Sequence, residues 1–392
     1  MKKLLTATAA TALLAGAAMA EDVKLGVLFG FTGPIESLAP AMGSGAELAM
    51  AEVTESGKLL GGATVTPSRA DTGCIDNGLA TSNGERMIAD GVAGIIGGDC
   101  SGVTGAILQN VAIPNGMVMI SPSATSPGLS TMEDNGLFFR TAPSDARQGV
   151  VMTEVLMDLG IKEVAVTYTN NDYGKGLADS FQAAYEAAGG NVTINAAHED
   201  GKADYSAEVG ALAAAGGERL VVAGYVDQGG SGIVRAALDS GAFDSFHFPD
   251  GMIGSQLVEN FGSEIDGSSG QHPSPSEELA TQFTELVGGA FEATSPFAPE
   301  SYDAAALIML AMQAAGSSDP AAYKDRIMDV ANAPGEEIRA GELGKALQIL
   351  ADGGDVNYVG ASDVELIGPG EAAGNYRVVG YDGGAEVTAG RK

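Results

Sequence analysis

Val92-Ala93-Gly94-Ile95-Ile96-Gly97-Gly98-Asp99-Cys100-Ser101-Gly102-Val103-Thr104 is a short apolar run that ends in small and hydroxyl residues and then turns helical. The pattern has an echo downstream, where Met117-Val118-Met119-Ile120 runs into Ser121-Pro122-Ser123-Ala124-Thr125. A strand that ends this way presents hydroxyls and free backbone N–H groups at the carboxyl edge of its sheet. Open α/β sheets hold their ligands at that edge, and the start of a helix there favours an anion. The two turns are therefore expected to grip the carboxylate end of a small zwitterion. Ser101 and Thr125 also suit helix N-caps, and the two roles can coexist.

Outward from this stretch, strands and helices alternate. Strands are expected at 23–29, 63–69, 92–96, 117–120 and 137–141, with helices at 41–53, 76–89 and 103–111 between them. That order specifies a parallel, doubly wound sheet. Pro143-Ser144-Asp145 interrupts it, and the alternation restarts. Helices at 145–159, 173–188, 206–215 and 228–240 then separate strands at 163–168, 191–196, 219–223 and 245–248. The Gly/Ser/Pro-rich stretch 267–275 reads as a second crossing between two similar lobes. Helices follow at 277–291, 301–315, 320–331 and 341–350 with no strand expected among them, then an irregular stretch 355–377 and a last strand at 376–381. A chain of 392 residues exceeds one ordinary core, so two domains are expected.

Residues 1–20 read as a targeting segment: Lys2 and Lys3, an apolar stretch from Leu4 to Ala15, and the small-x-small site Ala18-Met19-Ala20. No later apolar run approaches the ~18 residues that span a bilayer, so a soluble exported chain is expected. The net charge of −31 repels phosphate backbones and argues against nucleic-acid binding. It suits a solvated acidic surface. Two cysteines, Cys74 and Cys100, in an exported chain point to one disulfide, with free thiols or a metal site as the alternatives. A metal needs more ligands, and His198, His247 and His272 are scattered.

The strand ends of the second half carry Tyr173, Tyr225 and Asp250. A phenol packs on a carbon skeleton while keeping a polar partner, and a carboxylate shielded from solvent needs a cation such as an α-ammonium. Each alone is equally a surface-loop residue; as a set they face the hydroxyls of the first half. Gly97-Gly98 lacks the Lys-Ser/Thr of a phosphate loop and the spacing of a dinucleotide fingerprint, so no nucleotide cofactor is expected. No His sits at a strand end beside a candidate Ser nucleophile, and His247 between Phe246 and Phe248 is expected to face solvent. A hydrolase or dehydrogenase is disfavoured, and the export signal argues against a cytoplasmic or receptor-attached sensor.

Thr32-Gly33-Pro34, Asp71-Thr72-Gly73-Cys74, Gly98-Asp99-Cys100-Ser101, the run from Ile120 to Pro127, Phe139-Arg140-Thr141, Asp172-Tyr173-Gly174-Lys175-Gly176 and Ser301-Tyr302-Asp303-Ala304 resemble the periplasmic leucine/isoleucine/valine-binding proteins. These are type I substrate-binding proteins of branched-chain amino-acid ABC importers. The resemblance runs over the whole mature chain and is weakest after about residue 331. It implies an α/β fold of two Rossmann-like lobes with parallel sheets and a three-segment hinge, with 21–142 plus 274–370 as one lobe and 143–273 plus 371–392 as the other. It also implies a periplasmic, monomeric protein that captures an amino acid without cofactor or metal and delivers it to a membrane permease. Carried over, Ser101 and the Ser123-Ala124-Thr125 turn hold the ligand carboxylate, and Asp250 meets the α-ammonium. Tyr173 and Tyr225 close from the second lobe, and Cys74–Cys100 is the family disulfide. This sequence departs from relatives at Leu38, near an aromatic wall, and at Asp250, one methylene shorter than the common Glu. Asp227 adds a carboxylate near the cleft; pointing inward, it would suit a basic or polar amino acid, a short amide or urea.

Overall fold

The computed structural model describes residues 22–392, so the targeting segment at 1–20 lies outside the described residues. In chain order the first sheet takes β1 (Val23–Phe29), β2 (Val65–Asp71), β3 (Ile95–Gly97), β4 (Met119–Ser121) and β5 (Phe138–Pro143). The second takes β6 (Glu163–Thr169), β7 (Asn191–His198), β8 (Arg219–Ala223), β9 (Phe246–Phe248) and β10 (Ser269–Pro273). A small third sheet pairs β11 (Glu336–Arg339) with β12 (Val356–Gly360). β13 (Leu366–Ile367) and β14 (Glu371–Ala372) return to the first sheet, while β15 (Tyr376–Asp382) and β16 (Ala385–Arg391) complete the second. The two large sheets have the orders β13-β14-β5-β4-β3-β1-β2 and β16-β15-β10-β9-β8-β6-β7, with β1 to β5 and β6 to β10 parallel among themselves. The central strands β3, β4, β8 and β9 are buried throughout, as parallel strands covered by helices on both faces must be. The result is a two-lobe α/β fold in which the chain passes between sheets three times: after β5, after β10, and between β14 and β15.

Local chemistry places the helices. Asp76, Ser144, Asn171 and Ser276 each accept an N–H bond from the first turn of the helix that follows, the N-cap arrangement short polar side chains favour. Ser144 and Ser276 stand at the first two passages, so the caps also mark where the lobes join.

Four expectations need correction. Residues 269–273, read as part of a linker, form the buried strand β10. Its Ser-Gly-Gln-His-Pro sequence hides this, because polar partners rather than apolar packing satisfy it: Arg219 donates to Ser269 Oγ (2.7 Å) and Gln271 to Gln148 (3.2 Å). β11 lies among the C-terminal helices, and 355–377 contains β12, β13 and β14. A hairpin partner, β16, follows β15. His247 is fully buried, not solvent-facing, with Nδ1 2.9 Å from Ser269 Oγ.

Candidate functional site

The carboxyl ends of β3 and β4 are stitched together. Ser121 Oγ donates to the Gly98 carbonyl (2.5 Å), Ser123 Oγ donates to the Asp99 carbonyl (3.0 Å), and the Ser126 N–H donates to Ser101 Oγ (3.1 Å). Cys100, not Ser101, is the cap of the Ser101–Ile107 helix, and it makes no side-chain cap bond. The hydroxyls thus bind turn to turn instead of capping helices. Cys74 and Cys100 are joined in a disulfide that ties the turn after β3 to the segment after β2. Behind the second turn lies the fully buried Arg140, which donates to the carbonyls of Ala124 and Ser126 (both 3.0 Å) and to Glu371 on β14 (2.5 Å).

Facing this edge is the second lobe. Asp250, 1% exposed, accepts from the Tyr173 hydroxyl (2.7 Å), the Gln148 amide (2.9 Å) and the Gly251 N–H (2.7 Å). Tyr173 stacks on Tyr225 with ring centroids 5.1 Å apart. The Gln148 amide also donates to Asp145 (2.9 Å), so one side chain bridges two buried carboxylates. Burial drives Asp145 well above the usual carboxylate range, and the charge of Asp250 pushes it further. Burial likewise raises Asp250, against the hydrogen bonds from Tyr173 and Gln148. Asp99, raised by burial, is held by the Gly30 N–H (2.5 Å) and Thr72 Oγ1 (2.8 Å).

Between the lobes, Asp99, Ser101, Ser123, Tyr173, Tyr225 and Asp250 line one cavity together with Ile35, Leu38, Cys100, Gly251 and Phe297, while Asp145 and Gln148 stand outside its lining. Its atom-free space is about 330 Å³ with the mouth included. Phe297 enters its helix with φ of 65°, a left-handed conformation that costs an aromatic residue of order 1–3 kcal/mol. The lining is acidic and hydroxylic at Asp99, Asp250, Ser101, Ser123 and the two phenols, and apolar at Ile35, Leu38 and Phe297.

Of the residues singled out by sequence, Ser101, Ser123, Tyr173, Tyr225 and Asp250 meet in this wall. Ala124 and Thr125 lie behind it: the Ala124 N–H and carbonyl bond to Ser121 and Arg140, and the buried Thr125 hydroxyl has no hydrogen-bond partner. Asp227 does not enter the cavity; its Oδ2 accepts from the Ser37 N–H (2.8 Å) and its own N–H donates to the Pro34 carbonyl (3.2 Å), both across the cleft. Sequence reasoning missed Asp145 and Gln148, which Ser144 as a cap signal would have located only as a helix start. Phe297 was missed as well. The three histidines are buried elsewhere, on β7, β9 and β10, so no Ser–His pair is assembled in the cavity. Among the described residues no cluster of His, Cys, Asp or Glu suits a metal, and no helix is long and apolar enough to cross a membrane.

A family model for periplasmic binding proteins matches residues 22–334. A Leu/Ile/Val-binding protein homologue from Brucella melitensis is 31% identical over 326 residues, spanning 81% of this chain and 85% of its own. Among solved structures, a leucine-binding protein from Thermotoga maritima superposes with a TM-score of 0.77 at 22% identity, covering 94% of this chain and 98% of its own. A branched-chain amino acid transporter substrate-binding protein from Streptococcus pneumoniae, solved with isoleucine, gives a TM-score of 0.76 at 21% identity, covering 95% and 99%.

Proposed function

The chain belongs to the periplasmic binding protein family, and from that premise we propose that it captures a branched-chain amino acid in the periplasm and hands it to the membrane permease of an ABC importer. The observation that carries this is the mixed lining of the cavity, where Asp250, Ser101 and Ser123 share one wall with the apolar Ile35, Leu38 and Phe297. An α-ammonium would neutralise the buried Asp250, which has no cationic partner within 4 Å among the described residues. Ser101 and Ser123 would receive the carboxylate, and an aliphatic side chain would fill the apolar end. Relatives described as binding leucine, isoleucine and valine support the same choice.

The mechanism is binding and closure, with no bond made or broken. Because the cavity lies between the two lobes and nearly all its residues are buried, an amino acid enters by parting the lobes about their three passages. The ligand first docks on the first lobe's turns. Tyr173, Tyr225 and Asp250 then swing onto it, and the expelled water strengthens every charged contact. The closed monomer is the form the permease receives. Because Asp227 is engaged with Ser37 across the cleft, it does not supply the inward carboxylate that would favour a basic side chain. A thermal-unfolding screen of the mature protein tests this: leucine, isoleucine or valine at 100-fold its Kd adds ~2.7 kcal/mol. A melting temperature unmoved by all three, or moved only by a basic amino acid or urea, overturns the assignment.

A further inference from the structure

On the second sheet, His272 of β10 lies directly opposite Arg377 of β15, and Arg377 lies directly opposite Arg391 of β16. Three basic side chains thus stand in one row across three antiparallel strands, all lining a second cleft. Arg377 and Arg391 are like charges in direct cross-strand register, which destabilises a sheet unless something lies between them, and this chain has 51 acidic residues against 20 basic with which to avoid the arrangement. The charges are only partly answered. Arg377 Nη2 meets Glu386 (2.7 Å), and its Nε donates to Thr388. Arg391 donates to Ser274 Oγ and the Pro275 carbonyl, and among the described residues it has no carboxylate within 4 Å. Glu277 stands exposed at the rim.

The floor is more specific. His272 is 3% exposed. Its Nδ1 is 2.8 Å from the Pro273 carbonyl, which can only accept, so Nδ1 carries the proton and Nε2 is an acceptor. Burial and then the charge of Arg377 keep the ring neutral, its pKa lowered to about 3. Nε2 is buried and has no partner. The cleft therefore offers guanidinium donors and one buried acceptor that needs a donor. Its walls come from β10, β15 and β16 on one side and from the Glu277–Val287 helix and residues 293–299 on the other, with Ser274 and Pro275 of the second passage between them.

We propose that this cleft is a second ligand site, for a small oxyanion that retains a hydroxyl, monohydrogen phosphate being the simplest. Its anionic oxygens lie between Arg377 and Arg391, and its O–H donates to His272 Nε2. Because the walls straddle a passage between lobes, occupancy biases the angle at which they close. The test titrates the mature protein with inorganic phosphate, and with sulfate as a dianion of the same shape lacking the O–H, at neutral pH and matched ionic strength. Calorimetry and thermal unfolding are the readouts. Phosphate is expected to bind saturably and sulfate up to roughly tenfold more weakly, the value of one neutral-acceptor hydrogen bond. Arg391→Met and His272→Asn are each expected to cost phosphate a similar factor. The second variant keeps a donor toward Pro273 and removes only the acceptor, so it remains informative if the first fails to fold. Equal binding of the two anions, no saturable phosphate signal, or wild-type phosphate affinity in His272→Asn overturns the site.

Discussion

At the residue scale the cavity turns on buried carboxylates. Three donors favour the charged form of Asp250 against its burial, and Asp145 stands one glutamine away. Asp250→Asn keeps the shape and removes the counter-charge for an ammonium. Leucine affinity measured by calorimetry is expected to fall by about 2–5 kcal/mol, the cost of leaving one partner of a buried charge pair alone, while the unliganded protein still unfolds cooperatively. A wild-type Kd would show that the ammonium sits elsewhere. Glu300 tests burial in isolation. It is 2% exposed with Oε2 unpartnered, and burial, then Asp303, lifts its pKa to about 8. Its folded value lies above its unfolded one, so the fold binds this proton more tightly than the unfolded chain does. The stability it lends is complete at low pH and is lost as pH rises from about 4.5 toward about 8. Glu300→Gln is expected to flatten that decline in melting temperature, and an unchanged slope would remove Glu300 as its source. The sequence exposed Ser101, Ser123, Tyr173, Tyr225 and Asp250 because each sits where a strand pattern ends. Asp145 and Gln148 left no such mark, since their roles depend on a partner 102 residues away.

At the element scale, periodicity located the helices but not why some carry glycine. The Ala39–Ser56 helix contains Gly43 and Gly45 in its interior, where glycine costs up to ~1 kcal/mol relative to alanine. A Cβ at Gly45 would lie 2.4 Å from the Ala298 carbonyl oxygen, at the start of the Ala298–Ala315 helix that packs against it and carries Phe297 just before it. Gly45→Ala is therefore expected to lower stability by about 1–3 kcal/mol despite the better propensity, through overpacking, and to weaken leucine binding by shifting Phe297. Denaturant unfolding that shows a gain in stability would mean the helices separate without cost. The parallel strands β3, β4, β8 and β9 were legible as apolar runs. β10 was not, because a strand satisfied by Arg219, Gln148 and His247 carries its signal in long-range hydrogen bonds. β11 and β12 pair only with each other, away from the sheets whose alternation organised the sequence reading.

At the scale of the whole molecule, the interruption at Pro143-Ser144-Asp145 announced the first passage between lobes. The resemblance put the third near residue 370, but the strand pattern did not show it, because β14 is two residues long and joins the first sheet only through β5 and β13. What holds the lobes together was hidden too. Asp227 was read as a specificity residue from its distance to Tyr225, and its geometry makes it a latch: Oδ2 accepts from Ser37 on the first lobe, and its N–H reaches Pro34. A charge-assisted bond at a half-exposed position contributes about 1 kcal/mol, enough to shift a two-state equilibrium several-fold. Asp227→Ala is expected to enlarge the radius of gyration of the unliganded protein in solution scattering as the open population grows. It is also expected to weaken leucine binding about fivefold, since closure then costs that much more. Saturating ligand should restore the wild-type radius, because the cavity groups remain intact. If unliganded Asp227→Ala scatters like wild type, the Asp227 contacts with Ser37 and Pro34 do not hold the lobes together.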